Sequence, residues 1–304
     1  MKQQRAFSYA KYGYLFSIPF IIVFCIFNLY PTIYTAILGF TDCKGLGNTE
    51  WKFLVEEPFK NFEQILANPS FKTAVLNTFK IWIMNFIPQI SLALLLTAWF
   101  TSRRNVLKGQ SFFKVVFYMP NIITAASVAI LFNALFGYPM GPVNDLIVSW
   151  GLVDKPFAFI DNKLASQCIV AFIQFWQWYG YTMIILISGV LGINPEIYEA
   201  AELDGANDIQ MFFRVTIPNL KTILLYTLIT SLIGGLTMYD IPRMFNDGKP
   251  ANATLTATMF IHNQAFKGSY MYNRASAASL LIFLVVAVCS AFVFLLMRDK
   301  NERR

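Results

Sequence analysis

The densest charge in this sequence is acidic and confined to one short segment. Between residues 191 and 219, Glu196, Glu199, Glu202, Asp204 and Asp208 stand against a single Arg214. Asn194 followed by Pro195 is a strong helix start. Glu196, Glu199 and Glu202 then fall in the first turns, where negative charge suits the helix dipole. Ala200 and Ala201 keep one side thin. Asp204-Gly205 ends that helix, glycine supplying a left-handed residue. Asn207 or Asp208 caps a second helix carrying Ile209, Met211, Phe212, Phe213 and Val215, which Pro218 stops. The segment reads as a short helix–turn–helix. On pattern alone it is an amphipathic surface connector.

A second group of residues is suited to recognition. Residues 174–181, Gln-Phe-Trp-Gln-Trp-Tyr-Gly-Tyr, combine aromatic faces with amides, a pairing that holds sugars by stacking and hydrogen bonds. The same aromatics would also make an interfacial belt at the end of a span. Asn121 and Asn133 lie inside apolar stretches, where an amide needs a partner or a wet cavity. Ser231 is a weaker candidate, because serine often only packs between helices. Catalytic signatures are missing from the sequence: it has no Gly-x-x-x-x-Gly-Lys-Ser/Thr phosphate loop, no His-Glu-x-x-His and no Gly-x-Ser-x-Gly. Cys25, Cys43, Cys168 and Cys289 have no paired spacing, which argues against a metal site or a disulfide framework.

The elements that must position these residues are membrane spans. Of 304 residues, 56% are hydrophobic and only 13% charged, where a soluble domain carries about 25% charged residues. Six windows are long and apolar enough to cross a bilayer: about 14–38, 81–101, 115–136, 168–190, 220–239 and 277–297. The expected fold is all-α, a six-span domain over 14–297 with short tails at 1–13 and 298–304. The window 250–266 is too polar to span, and 146–153 is too short. No small-x-small cleavage site follows the first apolar run, so it reads as a retained anchor.

Lysine and arginine set the orientation. Arg103, Arg104, Lys108 and Lys114 crowd the second loop with no acid, and Arg298, Lys300, Arg303 and Arg304 close the chain. Both termini and the 191–219 segment are therefore expected in the cytoplasm. The net charge of +7 belongs to this topology, so no nucleic-acid partner is inferred. The spans hold no interior Asp, Glu, Lys, Arg or His, and the one histidine, His262, lies in an external loop. Such spans lack the titratable relay of a self-powered carrier. Uphill movement would need energy from another chain.

Glu199-Ala-Ala, then Gly205, then Val215-Thr-Ile-Pro218 resembles the EAA motif of permease subunits in binding-protein-dependent ABC importers. Tyr118-Met-Pro-Asn-Ile-Ile, Trp178-Tyr-Gly-Tyr-Thr-Met and Asn246-Asp-Gly-Lys-Pro250 are similar to the carbohydrate-type branch, in particular the maltose F and glycerol-phosphate A kinds. The large extra external domain of the enteric maltose subunit has no room in residues 39–80. The branch's usual Thr-Asn-Gly-Gly-Pro reads here Asn246-Asp-Gly-Lys-Pro.

The resemblance implies a non-catalytic subunit of a bacterial inner (plasma) membrane sugar importer. It implies a second homologous permease, two copies of a cytoplasmic ATPase that bind the ATP and Mg, and an extracellular or periplasmic solute-binding protein, with no cofactor or metal in this chain. It assigns ATPase coupling to Glu199, Ala200, Ala201, Asp204, Gly205 and Pro218. It places Asn121, Trp176, Tyr179, Gly180, Ser231 and Gly235 near the substrate path. Rival readings are the same architecture carrying glycerol-3-phosphate or a polyol, and a membrane scaffold that transports nothing. A phosphorylated cargo would need Arg or Lys in the path, and the spans supply none.

Overall fold

The computed structural model describes residues 10–48, 50–103 and 108–298. Arg104 and most of both basic tails lie outside these residues. Among the described residues every regular element is helical, apart from one bridged pair, Thr41 with Phe53. The chain divides into two units, Met1–Ala67 with Ile261–Leu281, and Asn68–Phe260 with Ile282–Arg304.

In the first unit, α1 (Ala10–Phe24), a wide turn (Cys25–Leu29) and α2 (Tyr30–Leu38) form one apolar span, Tyr12–Leu38. The wide turn has a local cause. Pro31 has no N–H to continue the ladder, and the amide of Tyr30 reaches back five residues to the Cys25 carbonyl instead. Helix α3 (Lys60–Ala67) follows. Its buried Asn61 donates to the carbonyls of Gly39 (2.9 Å) and Thr41 (2.8 Å), and accepts from the Asn273 amide at 3.0 Å.

The second unit is built on α4 (Pro69–Phe100), which is started by the Asn68 side chain accepting from the amides of Ser70 and Phe71. The face α4 buries is its polar one. Asn77, Thr78, Asn85, Gln89 and Thr97 all point inward, while Leu76, Ile83, Ile87 and Leu95 are exposed. That inversion is expected where the surroundings are lipid and interior polar groups bind one another. Near its start, Asn77 donates to the carbonyls of Asn252 (2.6 Å) and Leu255 (3.3 Å). Gln167 donates to the Ala253 carbonyl at 2.7 Å and to Asn77 at 3.2 Å, and accepts from Lys80 at 2.6 Å. Lys80 therefore serves this amide cluster.

The third span departs from the sequence reading. The expected continuous helix over 115–136 is two helices, α5 (Gln110–Tyr118, extended by a tight turn Met119–Ile122) and α6 (Ala125–Leu135), bent by 86°. Among the described residues, five helices are thus long and apolar enough to cross a membrane, or six if the bent pair counts as one span. Pro120 withholds a ladder donor. Ile123 and Thr124 then turn extended, and the Thr124 hydroxyl caps α6 by accepting from the Ser127 amide at 3.3 Å.

After the short α7 (Pro142–Ser149) comes α8 (Lys163–Leu191), which pairs along its length with α4. The acidic segment follows as α9 (Pro195–Leu203), α10 (Asp208–Met211), a wide turn Phe212–Thr216, and α11 (Ile217–Asn219). The fifth span runs Lys221–Asn246 as α12 (Lys221–Leu236) and α13 (Asp240–Asn246). Then come α14 (Ala257–Phe266), too short to span, and α15 (Tyr272–Met297).

Candidate functional site

Where α5 breaks, two amides tie the break to α8, Asn121 from the break and Gln177 from α8. Asn121 donates its side-chain N–H to the Gln177 carbonyl at 3.2 Å, and Gln177 donates its own to the Ile123 carbonyl at 3.0 Å. Irregular backbone at membrane depth survives only where protein or a water-lined cavity satisfies it. Here both conditions meet, because the break opens onto a cavity of about 670 Å³.

The cavity lies between α4, α8, α12 and the 121–125 break. Asn85, Gln89, Gln174, Trp178, Tyr181 and Thr230 contribute polar or aromatic groups to its wall. Gln89 crosses from α4 to donate to the Thr182 hydroxyl at 2.8 Å. The Thr227 hydroxyl is buried at the wall without a partner. Among the described residues, Asp240 is the one charged residue on the lining.

Of the six residues the resemblance placed near the path, Asn121, Ser231 and Gly235 line this cavity. Trp176, Tyr179 and Gly180 do not. Positions 174, 177, 178, 181 and 185 of α8 share the face turned to the cavity, at spacings of three and four. Trp176, Tyr179 and Gly180 occupy the opposite face and are spent on packing. The Trp176 ring sits 6.1 Å from that of Phe132, and Tyr179 lies against Phe175 at 5.6 Å and Phe117 at 6.3 Å. At Gly180 an added Cβ would stand 2.1 Å from the Phe117 carbonyl oxygen, so α5 and α8 meet backbone to backbone there. Asn133 is used elsewhere, donating to the Phe245 carbonyl and tying α6 to α13.

Gly235 is needed for a similar reason, since its Cβ would stand 2.0 Å from the indole of Trp82. Trp82 in turn donates to the Ser231 hydroxyl at 3.4 Å. Asn85 and Gln89 of α4 are not among the residues singled out from the sequence. The rule that singles out Asn121, that an amide inside a span needs a partner or water, applies to them without change.

The acidic segment folds as its caps dictate. Asn194 accepts from the Glu196 amide at 3.1 Å, and Asn207 and Gln210 exchange side-chain and backbone bonds as a capping box. Gly205 has φ +79°, and a Cβ there would meet open space. Its requirement is therefore conformational, and close approach is not what demands glycine. Pro218 does not stop the second helix where it stands. The amide of Ile217 reaches five residues back to Phe212, and the chain remains helical to Asn219. Glu199, Ala200, Asp204, Gly205 and Pro218 are exposed, and Ala201 is half-buried. The two helices are braced from beneath: the buried Tyr198 hydroxyl lies 3.0 Å from that of Thr216, and the ring packs with Met211 and Leu220 against Phe100 and Val190.

A membrane-spanning bundle with a polar cavity, a broken helix beside it and a braced helical hook between two spans defines a transport subunit. Residues 65–301 match the family described as binding-protein-dependent transport system inner membrane component. The chain belongs to that family: it is a multi-pass inner-membrane permease subunit of an ABC transporter, a class that is not catalytic and binds no cofactor itself. It is 29% identical over 291 residues to the lactose transport system permease protein LacF of Rhizobium radiobacter, covering 95% of each chain. To the arabinooligosaccharides transport system permease protein AraP of Bacillus subtilis it is 29% identical over 276 residues, 90% of this chain and 85% of that one. A chain in the crystal structure of a bacterial ABC transporter importing the acidic polysaccharide alginate shares the fold, with a TM-score of 0.77 at 22% identity over 95% of this chain and 96% of that one.

Proposed function

We propose that this chain forms half of the translocation path of an ATP-driven importer of neutral sugars, most of them short oligosaccharides. A second, homologous permease completes the path, two copies of a cytoplasmic ATPase drive it, and an external binding protein delivers the cargo. Both termini and the hook face the cytoplasm, in keeping with the basic residues of the 102–114 loop.

The observation that carries the cargo assignment is the chemistry of the 670 Å³ cavity. Its lining offers amides, hydroxyls and the rings of Trp178 and Tyr181 and, among the described residues, no Lys, Arg or His. A phosphorylated or uronic-acid cargo would there meet Asp240 and no cation, and burying an unpaired charge is costly. Sugar hydroxyls instead find donors and acceptors on α4, α8 and α12. The names of the relatives, which carry lactose and arabinooligosaccharides, support the same class. Within the path the contacts are assigned to Asn85, Gln89, Asn121, Gln174, Gln177, Trp178, Tyr181 and Ser231, with Gly235 keeping the wall close. Glu199, Ala200, Ala201, Asp204 and Gly205 form the surface presented to the ATPase, and Pro218 shapes the return to the next span. A helix anchored at both ends and braced by Tyr198 can pass on ATPase closure as a rigid displacement.

The test is purification of the chain from its native membrane in gentle detergent, followed by uptake in proteoliposomes. Recovery of a second permease and an ATPase, with ATP-dependent uptake of neutral oligosaccharides that falls in Gln177→Leu and Trp178→Ala, supports the proposal. Recovery of the chain alone, or an assembly that carries only anionic solutes, overturns it.

A further inference from the structure

A second hollow, of about 1010 Å³, opens beside the hook and away from the polar cavity. Its sides are the last turns of α4, residues 101–103, and Gln110 and Lys114 of α5. Its floor is the end of α8 with Tyr198 and the wide turn Phe212–Thr216. The surface is largely apolar and open. Leu95, Trp99 and Phe213 border it and are 62%, 49% and 65% exposed.

Two cations stand at this apolar surface. The Arg103 guanidinium lies 5.1 Å above the Tyr198 ring, and the Lys114 ammonium 5.8 Å from that of Phe100. Both are cation–π contacts, which leave the outward-facing N–H groups free to donate. Glu202 and Asp208 also border the hollow. Among the described residues, neither forms an ion pair with Arg103 or Lys114. The hollow thus combines a hydrocarbon-lined wall, a tryptophan at its rim and two cations that, among the described residues, form no direct ion pair with the two acids bordering it.

We propose that this hollow holds an anionic phospholipid, its phosphate at Arg103 and Lys114 and an acyl chain along Leu95, Trp99 and Phe213. The assignment rests on the orientation proposed above, which puts this end of α4 and α8 at the cytoplasmic face. There, anionic headgroups attract basic residues flanking a span, and basic pockets between helices bind them. A free phosphate ion would match the cations but leave the apolar wall in water, so the lipid matches more of the surface. The bound lipid would rest on the same Tyr198 that braces the hook. Its presence would therefore stiffen the element that receives ATPase motion, making coupling sensitive to lipid charge.

The test uses the whole transporter in nanodiscs of phosphatidylcholine, with or without phosphatidylglycerol. A Leu95→p-benzoylphenylalanine variant is irradiated and its adducts are identified by mass. The expected result is phosphatidylglycerol labelling well above its mole fraction. Arg103→Gln and Lys114→Gln should each lower that enrichment about fivefold, from roughly 1 kcal/mol per basic residue near the surface. Labelling in proportion to lipid composition, enrichment unchanged in both variants, or a cross-link to a protein chain would overturn the proposal. Subunit composition and sugar uptake, measured on the same preparation, report separately on the import assignment.

Discussion

Replacing Gly180 by alanine adds one methyl group at a place with no give. The new Cβ would lie 2.1 Å from the Phe117 carbonyl oxygen, 2.8 Å from its carbonyl carbon and 3.0 Å from the Tyr118 Cα. All three are backbone atoms, so no side chain can swing aside. Restoring van der Waals contact requires α5 and α8 to part by roughly 1 Å, and overpacking of this kind costs about 1–3 kcal/mol. The displacement reaches the neighbouring break. The Asn121 bond to Gln177 is already 3.2 Å long and the Gln177 bond to Ile123 is 3.0 Å, so both are lost on separation. Side-chain hydrogen bonds in a membrane bundle contribute about 0.6 kcal/mol each. The expected total is a loss of about 2–4 kcal/mol, with uptake falling as the cavity wall loosens. Thermal unfolding of the purified transporter, read alongside uptake, measures both. Gly234→Ala is the internal control: its Cβ meets nothing, and alanine in a helix is favoured over glycine by about 0.5–1 kcal/mol. If Gly180→Ala melts at or above the parent temperature, the backbone contact is not what holds α5 to α8. Rescue by Phe117→Ala would equally refute the reasoning, because the obstructing atoms are not in the Phe117 side chain.

Gly235→Ala should also impair the bundle, but its obstacle is the Trp82 indole. Trp82→Ala should therefore restore much of its stability, and a double-mutant cycle showing simple additivity would contradict the contact. At the hook, Glu199→Lys should abolish uptake while membrane insertion and recovery of the permease stay normal; unchanged uptake would remove Glu199 from the coupling surface. Gly205→Ala should cost about 1–2 kcal/mol locally from its left-handed backbone, and Gly205→Asn less; equal unfolding temperatures for the two would refute a conformational requirement. Burial, reinforced by the adjacent Asp42 carboxylate, pushes the Cys43 thiol above its ordinary range. Maleimide labelling of Cys43 should then be slow and need higher pH than an ordinary thiol, and Asp42→Asn should ease it slightly. Labelling at the rate of a free thiol would place Cys43 outside the buried cluster.

Much of this arrangement was legible from residues alone because it rests on local signals. The caps at Asn194, Gly205 and Asn207 are short-range chemistry, and each element begins or ends where its residue types require. The bend in the third span was not legible. Hydropathy sums composition, and a window with Pro120 and Thr124 scores the same straight or folded back. Which side of α8 faces the cavity was not legible for a related reason: aromatics occupy both of its sides between Gln174 and Tyr181, so crowding alone does not say which side packs. Gly180 decides it, since only the side bearing glycine admits the α5 backbone. Asn85 and Gln89 are amides inside a span and so follow the same rule as Asn121, while the aromatics of α8 carry the stronger local signal.

The amide cluster at the start of α4 and α8 has a consequence for how the sequence can drift. Asn77 and Gln167 grip the segment after α13 through the main-chain oxygens of Asn252, Ala253 and Leu255. Every residue type presents that same oxygen, so the grip is indifferent to the spelling of the loop. The neighbouring Asn246-Asp-Gly-Lys-Pro250 stretch is moored through that segment without its own side chains taking part in the Asn77 and Gln167 bonds. These contacts therefore place no demand on the side chains at 252, 253 and 255, whereas replacing either amide removes them outright.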